Sequence, residues 1–380
     1  APRLGDAEWA RVPRTWPMAA AARALPFSRE RETRALLAGD EAALDADAAR
    51  LLAALRASEA HLIWHKCGTF ADHLEGVWRV LCAWRQERDV CRLGLFHSAY
   101  GNSFVAMRLY DPADDGERAR LAALIGERAE RLVHAFCTVD RASLEATVLA
   151  EGSVREQGYE LADVRHPGSV VRVSKEDACA FLIETVADYL EQSTGWQSEM
   201  QQLGPPGAGG VLWPGPMRPT LRMAMVSRLA RAAARAQVGT GECIPLFDNC
   251  TATLEEADEA KAVDLYWSVV AERVAQGEAA EAALEEASRL NPFVGEPHVV
   301  RAQLLLARGA WDKARDACAR GLKLLEDWGG TCWDKRMPWA AWVNWCRAMA
   351  LQADARAWPC THGGVESLGA TEAHMTFREL

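Results

Sequence analysis

The chain has 380 residues, with 43 basic against 53 acidic side chains and a formal charge of −10. Hydrophobic residues make up 49% and charged ones 25%, a mix that excludes a disordered chain, a collagen or a coiled-coil rod. No uncharged apolar run approaches the ~18 residues of a membrane-spanning helix, and an acidic chain with scattered Arg lacks the basic face of a nucleic-acid binder.

The 11 Cys are spread from Cys67 to Cys360 with no CxxC pair. This reads as reduced thiols of a cytoplasmic or organelle-stromal chain, not a secreted disulfide scaffold. Residues 1–40 contain Pro and Arg with weak periodicity and no apolar signal region, and read as a loosely ordered arm. From Glu41 the pattern turns helical: Leu44, Ala48, Leu51, Leu52 and Leu55 recur at three- and four-residue steps. A second helix is predicted over Phe70 to Arg88, with Phe70, His73, Leu74, Val77, Val80, Leu81 and Trp84 on one face. A short one covers Val90 to Tyr100. Glu117 to Cys137 is helical, in two pieces divided at Gly126.

The strand-like stretch is Tyr159 to Val173, with the β-rich run Ser169-Val170-Val171-Arg172-Val173. Ser174-Lys175-Glu176-Asp177 fits a helix N-cap, and a helix follows to about Gln192. Gly204 to Pro219 is a Pro- and Gly-rich linker. Thr220 to Ala236 is a basic helix, Gly239 to Asn249 a connector, and Asp248-Asn249-Cys250 a helix cap. From Leu254 onward the chain is helix punctuated by turns, rich in Trp from Trp311 to Trp358. Ala280, Leu284, Ala287 and Leu290 precede Ala314, Cys318, Gly321 and Leu324 by a constant offset of about 34 residues, the tetratricopeptide period. With small residues at the helix crossings and Asn291-Pro292 closing the first unit, this block resembles tetratricopeptide repeats. The resemblance implies a helical surface that binds a protein partner.

Four His fall in one window: His61, His65, His73 and His97. The phrases are His65-Lys66-Cys67-Gly68-Thr69-Phe70-Ala71-Asp72-His73-Leu74 and Gly94-Leu95-Phe96-His97-Ser98. His73 and His97 lie on apolar faces of adjacent helices, where each needs a hydrogen-bonding or metal partner, because an unpaired buried polar group costs ~1–3 kcal/mol. Asp188 is likewise set among apolar residues in Phe181 to Leu190. His65 is eight residues before His73. On one continuous helix that is ~12 Å of rise, too far for a shared metal unless the chain folds back, so His65 is placed instead over the pocket as an acid or base. Tyr100 and Asn102 flank the His97 turn as ligand contacts. Arg79, Arg85, Arg88 and Arg92 are weaker anion-binding candidates, and His134 and Asp140 weaker supporting ones.

This order of elements is similar to the HD-domain metal phosphohydrolases, and most to the hydrolase domains of the RelA/SpoT group. The segment Leu62 to Arg141 also resembles an uncharacterised family carrying the same Gly-Thr-Phe, Gly-Leu-Phe-His-Ser and Phe-Cys phrases. By position, the HD resemblance implies His73, His97 and Asp188 as metal ligands. Ser98 stands where the family has Asp, and Gly101 and Asn102 stand at its acidic pair. A mononuclear two-His, one-carboxylate site remains, suited to one Fe, Mn or Zn per chain.

The expected architecture is all-α: an HD-like helical domain over 41–200, a linker and basic helix over 201–253, a tetratricopeptide-like block over 254–358 and a tail over 359–380. The expected function is a divalent-metal-dependent hydrolase of a small phosphate-bearing or polar substrate. The alternatives are a non-haem iron oxygenase on the same scaffold and an inactive HD-like scaffold protein that binds partners through its C-terminal helices.

Overall fold

The computed structural model describes residues 25–65, 68–101, 108–192, 218–219, 221–271 and 277–358. The fold is all-α, with two short β-hairpins among the described residues. The chain divides into two compact units. The larger is Arg29–Lys261 with Leu324–Ala340, and the smaller is Ala1–Ser28, Ala262–Lys323 and Ala341–Leu380.

The larger unit opens with α1, Glu30–Ala38. The sequence reading left this segment in a loose arm. It is helical because Glu30 and Glu32 occupy the first turn, where the helix dipole favours acids, and Gly39 closes it in the left-handed conformation. Asp40 caps a single 3-10 turn at Glu41–Ala43, so the helix expected from Glu41 becomes α2, Ala48–Arg56. Two strands unseen in the sequence follow: β1 (Trp64–His65) and β2 (Gly68–Thr69), paired antiparallel with His65 opposite Gly68.

Helix α3 spans Phe70–Ala83. Thr69 and Asp72 form a reciprocal capping box at its start. It ends short of the predicted Arg88 because Arg85 turns left-handed, its guanidinium held by both oxygens of Glu32. Helix α4 is Arg88–Phe96. Helices α5 (Asp115–Ile125) and α6 (Glu127–Thr138) divide at Gly126 as expected. Asp140 caps α7, Arg141–Glu151. Strands β3 (Tyr159–Ala162) and β4 (Val170–Val173) fall within the strand-like stretch and pair as an antiparallel hairpin. Ser174 then accepts from the Asp177 N–H to start α8, Lys175–Glu191. Helix α9 is Met223–Arg235. Asp248 and Asn249 cap no helix: Phe247 to Cys250 form a left-handed turn with φ of 51–61°, and α10 begins later, at Glu256–Val270.

Helix α8 is buried along nearly its whole length and packs on α3, α4 and α9, while α4 packs on α3 and α6. Arg92 fastens the α4 side: its guanidinium reaches Asp45 at 3.0 and 3.1 Å, Asp47 at 2.5 Å and the Ile125 carbonyl at 3.0 Å. The Trp84 indole N–H donates to the Asp327 carbonyl at 2.9 Å, which ties the 324–340 segment to α3. Helices α3 and α4 approach closely because Gly94 has no side chain. A Cβ there would lie 2.4 Å from a methyl of Leu81 and 3.1 Å from one of Val77.

In the smaller unit α11 (Gly277–Leu290) and α12 (Glu296–Ala307) pair as a helical hairpin. The predicted positions Ala280, Leu284, Ala287, Leu290, Ala314 and Cys318 are all buried. Gly321, on α13 (Trp311–Asp327), lets that helix close on α12, since a Cβ there would sit 3.0 Å from Val299. The last helix, α14, is Trp339–Ala355, and in this unit the Cys346 thiol donates to the Cys318 carbonyl at 3.1 Å. No helix among the described residues is long and apolar enough to cross a membrane.

Gly94→Ala forces the α3–α4 crossing apart or displaces Leu81. The expected outcome is a loss of about 1–3 kcal/mol in urea unfolding, with α-helical circular dichroism retained. An unchanged midpoint would show that the crossing is looser than this geometry.

Candidate metal centre

The crossing of α3, α4 and α8 brings three predicted residues to one point. His73 comes from the first turn of α3, His97 from the residue that ends α4, and Asp188 from the last turns of α8. All three are buried, with 5%, 3% and 5% of their surface exposed. One donor atom from each lies within 4.8 Å of the others. His73 Nε2 is 3.2 Å from Asp188 Oδ1. Ligands bonded at ~2.0–2.2 Å around one cation stand about 3–3.5 Å apart.

The other ring nitrogens are already committed. His73 Nδ1–H donates to Glu191 Oε2 at 2.5 Å, and His97 Nδ1–H donates to the Gly94 carbonyl at 2.8 Å. These bonds fix both rings and leave both Nε2 atoms for the centre, which is how metal-binding imidazoles are ordinarily oriented. Gly76 makes the Glu191 contact sterically feasible: a Cβ there would meet Glu191 at 2.8 Å.

Glu184 lies beside the cluster and is the residue the sequence reading missed. It is 0% exposed, one turn before Asp188 on α8, and neither carboxylate oxygen accepts a hydrogen bond from the described residues. One oxygen lies 3.2 Å from His97 Nδ1, but that N–H is directed at Gly94. The spacing of Glu184, Asp188 and Glu191, four and three residues apart, is the signal that could have found it.

The electrostatics follow from burial. Desolvation opposes charge on His73, but Glu191 and Asp188 outweigh it and hold its pKa up at about 10. Burial also opposes charge on Asp188, and the neighbouring His73 reverses this and holds its carboxyl well below the usual range. His97 is pushed down to about 3 by burial, against the pull of Asp188. Burial and the nearby Asp188 push the Glu184 carboxyl up. Arg141, also buried, adds positive potential and stacks 4.0 Å over the Phe136 ring. A metal would take the place of the His73 proton, so the donors are two neutral imidazole nitrogens and the Asp188 carboxylate, a set that a divalent cation fits.

His65 reaches the site because the chain does fold back. The β1–β2 hairpin lays its ring 4.6 Å from that of His73, centroid to centroid. Its tautomer can be read from the network. Gln192 donates its amide N–H to Asp188 Oδ1 at 2.7 Å, so its carbonyl faces His65 Nε2 at 3.3 Å. His65 Nε2 therefore carries the proton and Nδ1 the lone pair. Burial first, and the charge of His73 second, push its pKa down to about 4.

The remaining candidates lie elsewhere. The Tyr100 hydroxyl donates to Glu130 Oε1 at 2.8 Å, and Arg118 binds the same carboxylate, so this buried Tyr is tied to α6. Asn102 lies outside the described residues. His61 is exposed and bonded to Ser58. Asp140 is the α7 cap and His134 stacks on Tyr100. Arg79 pairs with Glu41 and Glu75, and Arg85 with Glu32 and Glu242.

A cavity of about 430 Å³ opens on the His73 side, lined by His65, Asp72, His73, Glu191, Gln192 and Lys335 among others. A larger one of about 670 Å³ lies between Arg31, Asp45, Arg85 and Arg88. It touches none of the buried imidazoles, and Asp45 and Arg85 there are already ion-paired.

Among known families, one described as a domain of unknown function (DUF6817) matches residues 54–141. Comparison with curated proteins and with solved structures returned no match.

The folded-state pKa of His73 lies above its unfolded value of ~6.5. Its contribution to the stability of metal-stripped protein is therefore complete below about pH 6.5 and lost as pH rises towards 10. Chemical denaturation of chelator-treated protein at stepped pH is expected to show that decline, of the order of 3–5 kcal/mol. His73→Gln, in which no imidazole charge can form, is expected to lack it. Parallel profiles for the two proteins would contradict the assignment.

Proposed function

We propose that His73, His97 and Asp188 hold one divalent metal ion and that the chain is a metal-dependent hydrolase acting on a small polar or phosphate-bearing substrate. The observation that carries this is the convergence of two oriented imidazoles and a carboxylate beside a fully buried Glu184 that has no hydrogen-bond donor among the described residues. The order of the three residues agrees with the HD-domain resemblance. Where that family's second acid is replaced by Ser98, Glu184 is the carboxylate that faces His97.

When bound, the metal supplies Lewis acidity that polarises the substrate's electrophilic centre and acidifies water. The chain's residues do the rest. Glu191 and the Gly94 carbonyl hold the two rings in place. Gln192 links Asp188 to His65 and keeps the proton on His65 Nε2. The lone pair on Nδ1 is then available to accept a proton from an attacking water, with His65 neutral at pH 7. The 430 Å³ cavity admits a small molecule on the His73 side of the buried cluster.

A second reading is supported by the donor set. Two His and one carboxylate form the facial triad of non-haem iron oxygenases, so the same centre loaded with Fe suits oxygen chemistry.

The decisive measurement is the metal content of protein purified without chelator. Wild type is expected to carry about one equivalent of Fe, Mn or Zn. His97→Ala and Asp188→Asn are expected to lose it while keeping helical content. Zn or Mn favours hydrolysis and Fe favours oxygen chemistry. Absence of metal from folded wild type would refute the enzyme reading and turn attention to partners of the C-terminal helices.

A further inference from the structure

The pocket beside His73 carries charges of both signs. Its lining contains two carboxylates, each with partners of its own. Asp72 accepts from the Thr69 N–H and hydroxyl, each at 2.8 Å, and Glu191 is bonded to His73. The lining also contains Lys335, which is half-buried. Its ammonium donates to the Leu190 carbonyl at 3.0 Å and to the Thr331 hydroxyl. Both acceptors are neutral, and no carboxylate among the described residues lies within ion-pair distance. An ammonium has three donors, so one remains uncommitted. Pro338 and Trp339, where α14 begins, line the same cavity and bring the positive end of a helix dipole to it.

We infer that this pocket takes its substrate by a small oxyanion group, a phosphate or a carboxylate, anchored on Lys335. The inference rests on the metal-enzyme reading of the same pocket and supplies its substrate class. A backbone carbonyl and a hydroxyl hold the Lys335 side chain in place, so little ordering entropy opposes capture of the anion. Partial burial makes its charge stronger than that of a surface lysine. With Lys335 at one part of the cavity and His65 and His73 at another, a substrate bound through its oxyanion would present its remaining atoms to the imidazoles.

The test is calorimetric titration of the full chain, purified without chelator, with inorganic phosphate and separately with acetate. Wild type, Lys335→Gln and Lys335→Arg are compared at low ionic strength. Gln keeps donors for Leu190 and Thr331 but removes the charge, so the fold is preserved. Wild type is expected to bind one phosphate or one acetate per chain. Lys335→Gln is expected to weaken that binding about tenfold or more, and Lys335→Arg to stay within about threefold. The stronger of the two probes identifies phosphate or carboxylate. Equal binding by wild type and Lys335→Gln, or no binding of either anion by wild type, overturns the inference. Lower thermal stability of Lys335→Gln with unchanged anion binding also overturns it, leaving Lys335 a purely structural contact. Metal content of the same samples separates the two readings. Metal present with Lys335-independent anion binding refutes the anchor alone. Metal absent with Lys335-dependent binding refutes the metal centre and upholds the anchor.

Discussion

Burying acid in the middle of an apolar helix is the constraint on which the larger unit depends. Helix α8 places Glu184 and Asp188 among Phe181, Leu182, Val186 and Leu190, all nearly inaccessible to water. A dehydrated carboxylate costs several kcal/mol unless a positive partner is close. The partners must reach the centre from neighbouring helices, and imidazole is a short side chain. Helices α3 and α4 therefore have to cross α8 and each other closely, and this is where Gly76 and Gly94 stand. Small residues on the helices and polar residues in the centre are two aspects of one packing solution.

The same constraint explains why the centre is ordered from several directions at once. Asp188 holds Gln192, Gln192 holds His65, Glu191 holds His73, and the Gly94 carbonyl holds His97. Three of these groups, Asp188, Glu191 and Gln192, belong to α8 or the residue after it, so one rigid helix sets most of the geometry. A site built on helices keeps its ligands within narrow limits better than one carried by loops. The exception is His65, which a two-residue strand pair delivers. It lines the cavity, where a substrate would need some accommodation.

Much of this was legible in the sequence. The stripes of α3 and α8, the break at Gly126, the Ser174 cap and the trio His73, His97 and Asp188 follow from period, turn chemistry and the cost of buried polar groups. What escaped has physical reasons too. A ladder of two residue pairs carries too little alternation to be seen, so the fold-back of His65 was only a condition. Glu184 was passed over because Asp188 was read as the one acid of an apolar helix, although the i, i+4, i+7 spacing was present. Tyr100 stood beside His97 in sequence, but its partner Glu130 is thirty residues away, and sequence proximity said nothing of that. Phe247 to Cys250 adopt φ values that side-chain sterics oppose, which no local rule predicts.

The matched family segment, residues 54–141, contains His65, His73 and His97 but not Asp188, Glu191 or Lys335. Alone, that segment would carry the three imidazoles of the site without the two carboxylates that charge and orient His73. Without Asp188 and Glu191, burial would drive protons off His73 just as it does off His97, and the rings would lose the acceptor that fixes one of them. Whatever chemistry the centre performs is therefore a property of the larger unit, with α8 supplying the charge and the 324–340 segment supplying a wall of the cavity. The imidazoles are the part that a short segment can encode. The field around them requires the rest of the fold.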